Sequence, residues 1–256
     1  MKKNLLFLLI AALFLITACK ESTTEPPVET INDQYYKIQN GASLVYNLEI
    51  KDSTGFTVTG NRFTSFNDST IIEGTTYYIQ NDSFQTFLPF DTLTSSSNLY
   101  VRKSNTGVFS FADTTGFTGF IPDTLRQYLS VDKESRLLFY PLAVNQTFPV
   151  YTLTLSVLIV GINVIDIDAV VESQEIINTT VNNLPEQFNT FKIKYSFVVR
   201  TSSTGPETLY EAYGWVVKEL GFVKWDGDAE VFNFLLNENI FPPETNVKMD
   251  LISYQF

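Results

Sequence analysis

Chemistry in this chain has few residues to draw on. It has no histidine and one cysteine, Cys19. A Ser-His triad, a Cys-His dyad, a Cys/His zinc site and an internal disulfide are therefore all excluded. Carboxylates remain. Asp166 and Asp168 alternate along one predicted strand, so both fall on one face about 6 to 7 Å apart, a spacing that carboxylate-pair glycoside hydrolysis tolerates. Wet-face charges that keep a strand soluble are the other reading. Asp226, Asp228 and Glu230 alternate in the same way and open like a calcium loop. The sixth and twelfth places then hold Val231 and Asn237, where an EF-hand needs glycine and a bidentate acid, so a solvated Asp-Gly turn explains the cluster better. No glycine-rich phosphate loop, serine elbow or metal-ligand set is present, and the expectation is a non-enzymatic protein with no cofactor and no metal.

Cys19 has a different role. Lys2 and Lys3 precede an uninterrupted apolar run from Leu5 to Ile16, which is too short to span a membrane that needs about 20 helical residues. The run ends in Ile16-Thr17-Ala18-Cys19, a branched apolar residue and two small ones before a cysteine, which looks like a lipobox. That resemblance implies diacylglyceryl transfer to the thiol, cleavage before Cys19 and anchoring by two or more acyl chains. Residues 1–18 are then a signal peptide. Residues 19–34 are a lipidated tether around Pro26-Pro27, whose fifteen residues after the cysteine reach at most about 50 Å. Residues 35–256 are one folded domain. Lys20 stands where an inner-membrane retention signal has aspartate, so the expected location is the cell envelope, outer membrane favoured, facing the periplasm or the surface.

The formal charge is −11, and losing Lys2 and Lys3 with the leader takes it to −13. No basic stripe remains for a phosphate backbone, so nucleic acid is not expected as a partner. With 44% hydrophobic residues the domain can bury a sizeable core.

From Tyr35 onward the pattern has the period of a half-buried strand. Leu44, Tyr46, Leu48 and Ile50 share a face, as do Ile165, Ile167 and Ala169, and again Phe191, Ile193, Tyr195 and Phe197. Gly55, Asn67-Asp68, Gly74, Asn81-Asp82 and Gly107 punctuate the runs, so an antiparallel meander is expected. One short helix is predicted over Pro122 to Leu129. Tyr35, Asn40, Val45, Tyr46, Leu48 and Ile50 align at an offset of 105 with Tyr140, Asn145, Val150, Tyr151, Leu153 and Leu155. Internal duplication is one reading of this match, and two strand openings of like composition is the other.

Two regions are candidates for ligand contact. Trp215 and Trp225 flank Leu220-Gly221, and their even separation puts both on one face if the turn adds no shift; they form either a ligand platform or a packing pair. Leu153 to Val164, which includes Leu158 and Ile159, is the most apolar stretch outside the leader. It is read as two buried strands joined at Gly161, as an apolar lip for lipid, or as a surface for a protein partner.

Several segments carry a family resemblance. Tyr140-Pro141-Leu142-Ala143-Val144-Asn145-Gln146-Thr147-Phe148 fits an aromatic-Pro-Leu opening, and Tyr36 to Gly41 echoes it. Asp68 to Tyr78 is similar to a polar hairpin leading into an aromatic strand, Leu184 to Phe191 to a Pro-containing turn that lacks its glycine, and Trp215 to Lys224 to a closing hairpin. Together they resemble secreted TapB-type lipoproteins of strongly curved antiparallel sheet, distantly similar in shape to the half-barrel of LolA-type lipoprotein carriers. The resemblance implies an all-β, half-barrel or sandwich-like fold and a membrane-anchored protein that binds an apolar ligand or lipidated polypeptide. A structural or adhesive module contacting another envelope protein, and a glycan hydrolase using Asp166 and Asp168, are the alternatives.

Overall fold

A computed structural model describes residues 36–112, 128–157, 160–200 and 205–256. The expected sheet is present. Thirteen antiparallel strands form one curved sheet: β1 (Ser43–Lys51), β2 (Thr57–Ile72), β3 (Thr75–Leu88), β4 (Asp91–Ser104), β5 (Gly107–Phe111), β6 (Leu129–Val131), β7 (Glu134–Phe139), β8 (Thr147–Val157), β9 (Val160–Val181), β10 (Leu184–Arg200), β11 (Glu207–Val217), β12 (Gly221–Asp228) and β13 (Asn246–Gln255). Their spatial order is β6-β8-β9-β10-β11-β12-β13-β1-β2-β3-β4-β5-β7.

This order resolves into two six-stranded meanders, β1 to β5 with β7, and β8 to β13, joined where β13 pairs with β1. The short β6 is added to the free edge of β8. β6 and β7 are consecutive in the chain but pair at opposite edges of the sheet, so residues 132 and 133 cross a seam between β7 and β8 that has no ladder. The sheet curls without closing into a barrel. Across its interior the Tyr195 hydroxyl on β10 donates to the Leu137 carbonyl on β7 at 2.6 Å.

The meanders match in detail. Gly41 N–H donates to the Phe66 carbonyl, and Phe66 N–H donates back to Ala42. Asn145, Val171 and Gln146 repeat that exchange. Gly41 and Asn145 both hold φ near the left-handed region, at 86° and 67°. After Phe66 the register with β3 slips past Asn67, and after Val171 the register with β10 slips past Glu172. Each bulge lies at the same place, 105 residues apart. The β2–β3 and β9–β10 turns are both two-residue hairpins with two positive φ angles, at Glu73-Gly74 and Asn182-Asn183.

Among the described residues one helix, α1 (Ala229–Leu235), lies between β12 and β13. Ala229, Val231, Phe232, Phe234 and Leu235 are all buried, as expected of a helix apolar on nearly every side and enclosed by the sheet. This is not the helix read from the sequence. Residues 122–127 lie outside the described residues, and Leu129 opens β6. The run from Val231 to Leu236 lacks a polar face, so its periodicity does not separate a short buried helix from a buried strand.

Candidate functional site

The concave face of the sheet is filled by the protein itself. Tyr195, Phe84, Trp225, Phe232 and Phe241 are buried in one continuous core. Trp225 stacks on Phe222 with ring centroids 4.1 Å apart, against Gly214, where a Cβ would meet both rings at 2.8 Å. A cavity of about 40 Å³ is left among Tyr36, Tyr46, Arg62, Gln80, Trp225 and Phe232. That is room for a few waters and far below the few hundred Å³ of a small-molecule site.

Beside this cavity lies a buried ion pair. Arg62 Nε and Nη2 donate to the two carboxylate oxygens of Asp82 at 2.9 and 3.1 Å, and Nη1 reaches Met249 Sδ at 3.7 Å. Thr64 and Gln80 also donate to Asp82, and Tyr36 donates to Gln80. Four hydrogen bonds thus satisfy a carboxylate that is 2% exposed. Burial raises the phenols of Tyr36 and Tyr46 well above the usual tyrosine value.

The sequence candidates separate. Trp225 pairs with Gly214, whereas Trp215, equally buried, pairs with Lys192 and Lys224 on the other face of the sheet, so the two do not form a platform. The cause is a bulge. β11 and β12 slip register between Trp215 and Val216, which cancels the even spacing. The Trp215 indole donates to the Glu175 carboxylate, and the ammonium of Lys224 sits 4.4 Å from its ring centre, leaving the residue only 7% exposed. Leu158 and Ile159 lie outside the described residues. Gly161 lies inside β9 opposite Ser156, so the junction of the two strands is not at Gly161.

Asp166, Asp228 and Glu230 have local partners. Asp166 is paired with Arg200 and accepts from Asn163. The Asp168 carboxyl is pushed up by partial burial and by Asp166, against the pull of Arg200. Asp228 accepts from the Glu211 N–H at 2.7 Å, and Glu230 from the Glu244 N–H at 2.9 Å.

A larger concavity escaped the sequence reading. At the end of the sheet where α1 emerges, a groove of about 870 Å³ runs between the ends of β8 to β11 and the helix with its following loop. Leu153, Ile165, Phe197 and Val199 form the sheet wall, and Phe234, Ile240 and Phe241 form the helix wall. Pro242 and Pro243 complete the lining. The loop wall is fixed by Asn233, whose amide donates to the Phe241 carbonyl while its oxygen accepts from the N–H groups of Ile240 and Phe241. Phe234 packs on Tyr151 and Phe197, at 4.9 and 5.6 Å between centroids. Leu153 and Val164, the ends of the apolar stretch singled out above, both line the groove. Alternation marked the apolar side of β9 and β10 correctly, but the opposing wall comes from residues 230 to 243, far away in the chain.

Other apolar surface gathers at this end. Lys51 at the end of β1 pairs with Asn246 just after the loop, and β3 runs beside β2 to a tip where Phe87, Phe90 and Leu93 are exposed, with Phe56 on the neighbouring turn.

No protein-family model matches the chain, and no curated protein does. Among solved structures, the chain is similar to a protein described as exported, with a YmcC-like fold, from Bacteroides fragilis: 14% identity, 87% of this chain and 99% of that chain covered, TM-score 0.47. It is also similar to a protein described as a lipoprotein from Parabacteroides distasonis, at 12% identity, with 86% and 97% covered and a TM-score of 0.38. Neither description names a TapB-type protein or a LolA-type carrier.

Proposed function

We propose that this chain is a lipid-anchored envelope protein that binds an apolar ligand, the hydrocarbon part of a lipid or of a lipidated polypeptide, without transforming it. The observation that carries the reading is the groove: its volume is that of a small-molecule site, and its walls are almost entirely apolar side chains held by a rigid sheet and a stapled loop. The ligand site moves from the concave face, which is full, to the end of the sheet. The apolar run before Cys19 supports the anchor and, with it, an envelope location; Lys20 favours the outer membrane. The carrier-like resemblance noted in the sequence agrees with a binding role.

Organic extraction of the mature chain carrying Cys19→Ser, followed by mass spectrometry, tests the reading together with titration by N-phenyl-1-naphthylamine. A bound lipid, or dye binding that Val199→Trp weakens at least about tenfold by filling the groove, is expected. A protein that is consistently empty and binds no dye removes the proposal. Mass analysis of the native N-terminus tests the anchor separately, since an unmodified Cys19 thiol contradicts it.

One observation favours a second reading, a protein-interaction module: the exposed aromatic tip formed by Phe87, Phe90 and Phe56. Crosslinking from position 90 in intact cells separates the two, because a module yields a discrete protein adduct and a carrier does not require one.

A further inference from the structure

We infer that the groove accepts an amphiphile with a cationic or neutral head and rejects one with an anionic head. This rests on the reading that the groove holds an apolar chain, and adds which end group that chain carries. The described residues lining the groove include no lysine or arginine and a single carboxylate, Glu230 in the first turn of α1. One oxygen of Glu230 is fixed by the Glu244 N–H, which holds the carboxylate at the groove's edge. Tyr210 lines both the groove and an adjoining depression, whose other walls carry Asp52, Asp228, Glu230 and Glu244 against one cation, Lys51. The Tyr210 phenol is pushed up by burial first and then by the same Glu230, Glu244 and Asp228 carboxylates. Arg200 follows the groove residue Val199 but is committed to Asp166 and Glu207. The Asn233 amide is likewise spent on the loop.

An anionic head at this edge would meet Glu230 in a half-buried setting with no cation among the described groove residues, and specificity follows from that repulsion as much as from attraction of a cation. The helix N-terminus offsets part of the Glu230 charge, so the effect is that of a fraction of a full charge pair.

The mature chain carrying Cys19→Ser is loaded with N-phenyl-1-naphthylamine and displaced by dodecyltrimethylammonium, dodecanol or dodecanoate, each below its micelle concentration. Dodecyltrimethylammonium is expected to bind about tenfold more tightly than dodecanoate, with dodecanol between them. Glu230→Gln should bring the charged pair within about threefold of each other, and added salt should shrink the same ratio in the unaltered protein. Dodecanoate binding as tightly as the cation, or a ratio unmoved by both Glu230→Gln and salt, overturns the inference while leaving an apolar groove in place. Failure of the dye to bind at all removes the groove reading and this one with it.

Discussion

The two meanders share a backbone and differ in what they put inside it. At matched positions on the first long hairpin the interior residues are Arg62, Thr64 and Phe66 facing Phe84, Asp82 and Gln80. On the second they are Ile167, Ala169 and Val171 facing Phe197, Tyr195 and Ile193. One hairpin thus buries a fully hydrogen-bonded ion pair where the other buries hydrocarbon. Further along, Gly60 on β2 corresponds to Ile165 on β9. A Cβ at Gly60 would come within 1.9 Å of the Gln85 carbonyl oxygen, so β2 and β3 approach closely there, whereas Ile165 stands in the groove wall. The same bulges and turns therefore support a closed polar interior in one half and the wall of an apolar groove in the other. Fold and site chemistry are separable in this molecule, because backbone pairing sets the first and the inward side chains set the second.

The largest test of this comparison is alkaline unfolding, which acts on both halves. Tyr36, Tyr46 and Tyr195 are raised chiefly by burial, and Tyr151 and Tyr77 are raised to about 12. These folded values lie above an unfolded value near 10, so their contribution is complete below about pH 10 and is lost as pH rises through the folded values. The urea midpoint should hold steady from about pH 7 to 9 and fall steeply beyond about pH 10. Phenolate absorbance should rise together with unfolding in one step; two separated steps would show that the meanders are independent units.

Next in size is the ion pair. Asp82→Ala strands a buried guanidinium and should cost about 3–5 kcal/mol in denaturant unfolding. Arg62→Met with Asp82→Leu, which makes the first half resemble the second, should be neutral or stabilising, by up to about 4 kcal/mol. Comparable losses in both variants would mean that the pair does more than satisfy itself. Gly60→Ala should cost about 1–3 kcal/mol, because backbone and not a flexible side chain stands in its way.

The smallest effect is the sharpest. Tyr46 and Tyr151 occupy matched places on β1 and β8, yet the Tyr46 hydroxyl donates to the Phe222 carbonyl at 2.9 Å while the buried Tyr151 hydroxyl has no partner among the described residues. Tyr46→Phe should cost about 1 kcal/mol, and Tyr151→Phe should be neutral or slightly stabilising. Thermal melts of the two variants side by side decide it, and equal losses would contradict the assigned difference.

Alternation alone identified the strands around Leu44 to Ile50, Ile165 to Ala169 and Phe191 to Phe197, since a residue's face follows from its place in the pleat. The match between Tyr46 and Tyr151 was visible as well, although only the paired bulges after Phe66 and Val171 give it structural meaning. Trp215 and Trp225 show how the same reasoning fails: one extra residue in a bulge reverses a face, and nothing in the local composition announces it. The groove was half visible. Leu153 and Val164 stood out as apolar, but Phe234, Ile240 and Pro243 look like ordinary core until the chain is folded.

By itself, then, the sequence determined the all-β class, the approximate strands, and the absence of the imidazole and thiol chemistry that histidine and a second cysteine would supply, because these depend on residue type and near-neighbour spacing. The tertiary structure alone decided that the concave face is full, that Arg62 meets Asp82 in the interior, and that an apolar groove opens beside α1. Each of those depends on which distant segments are brought together by ladder register and bulges, and a single inserted residue is enough to change the outcome.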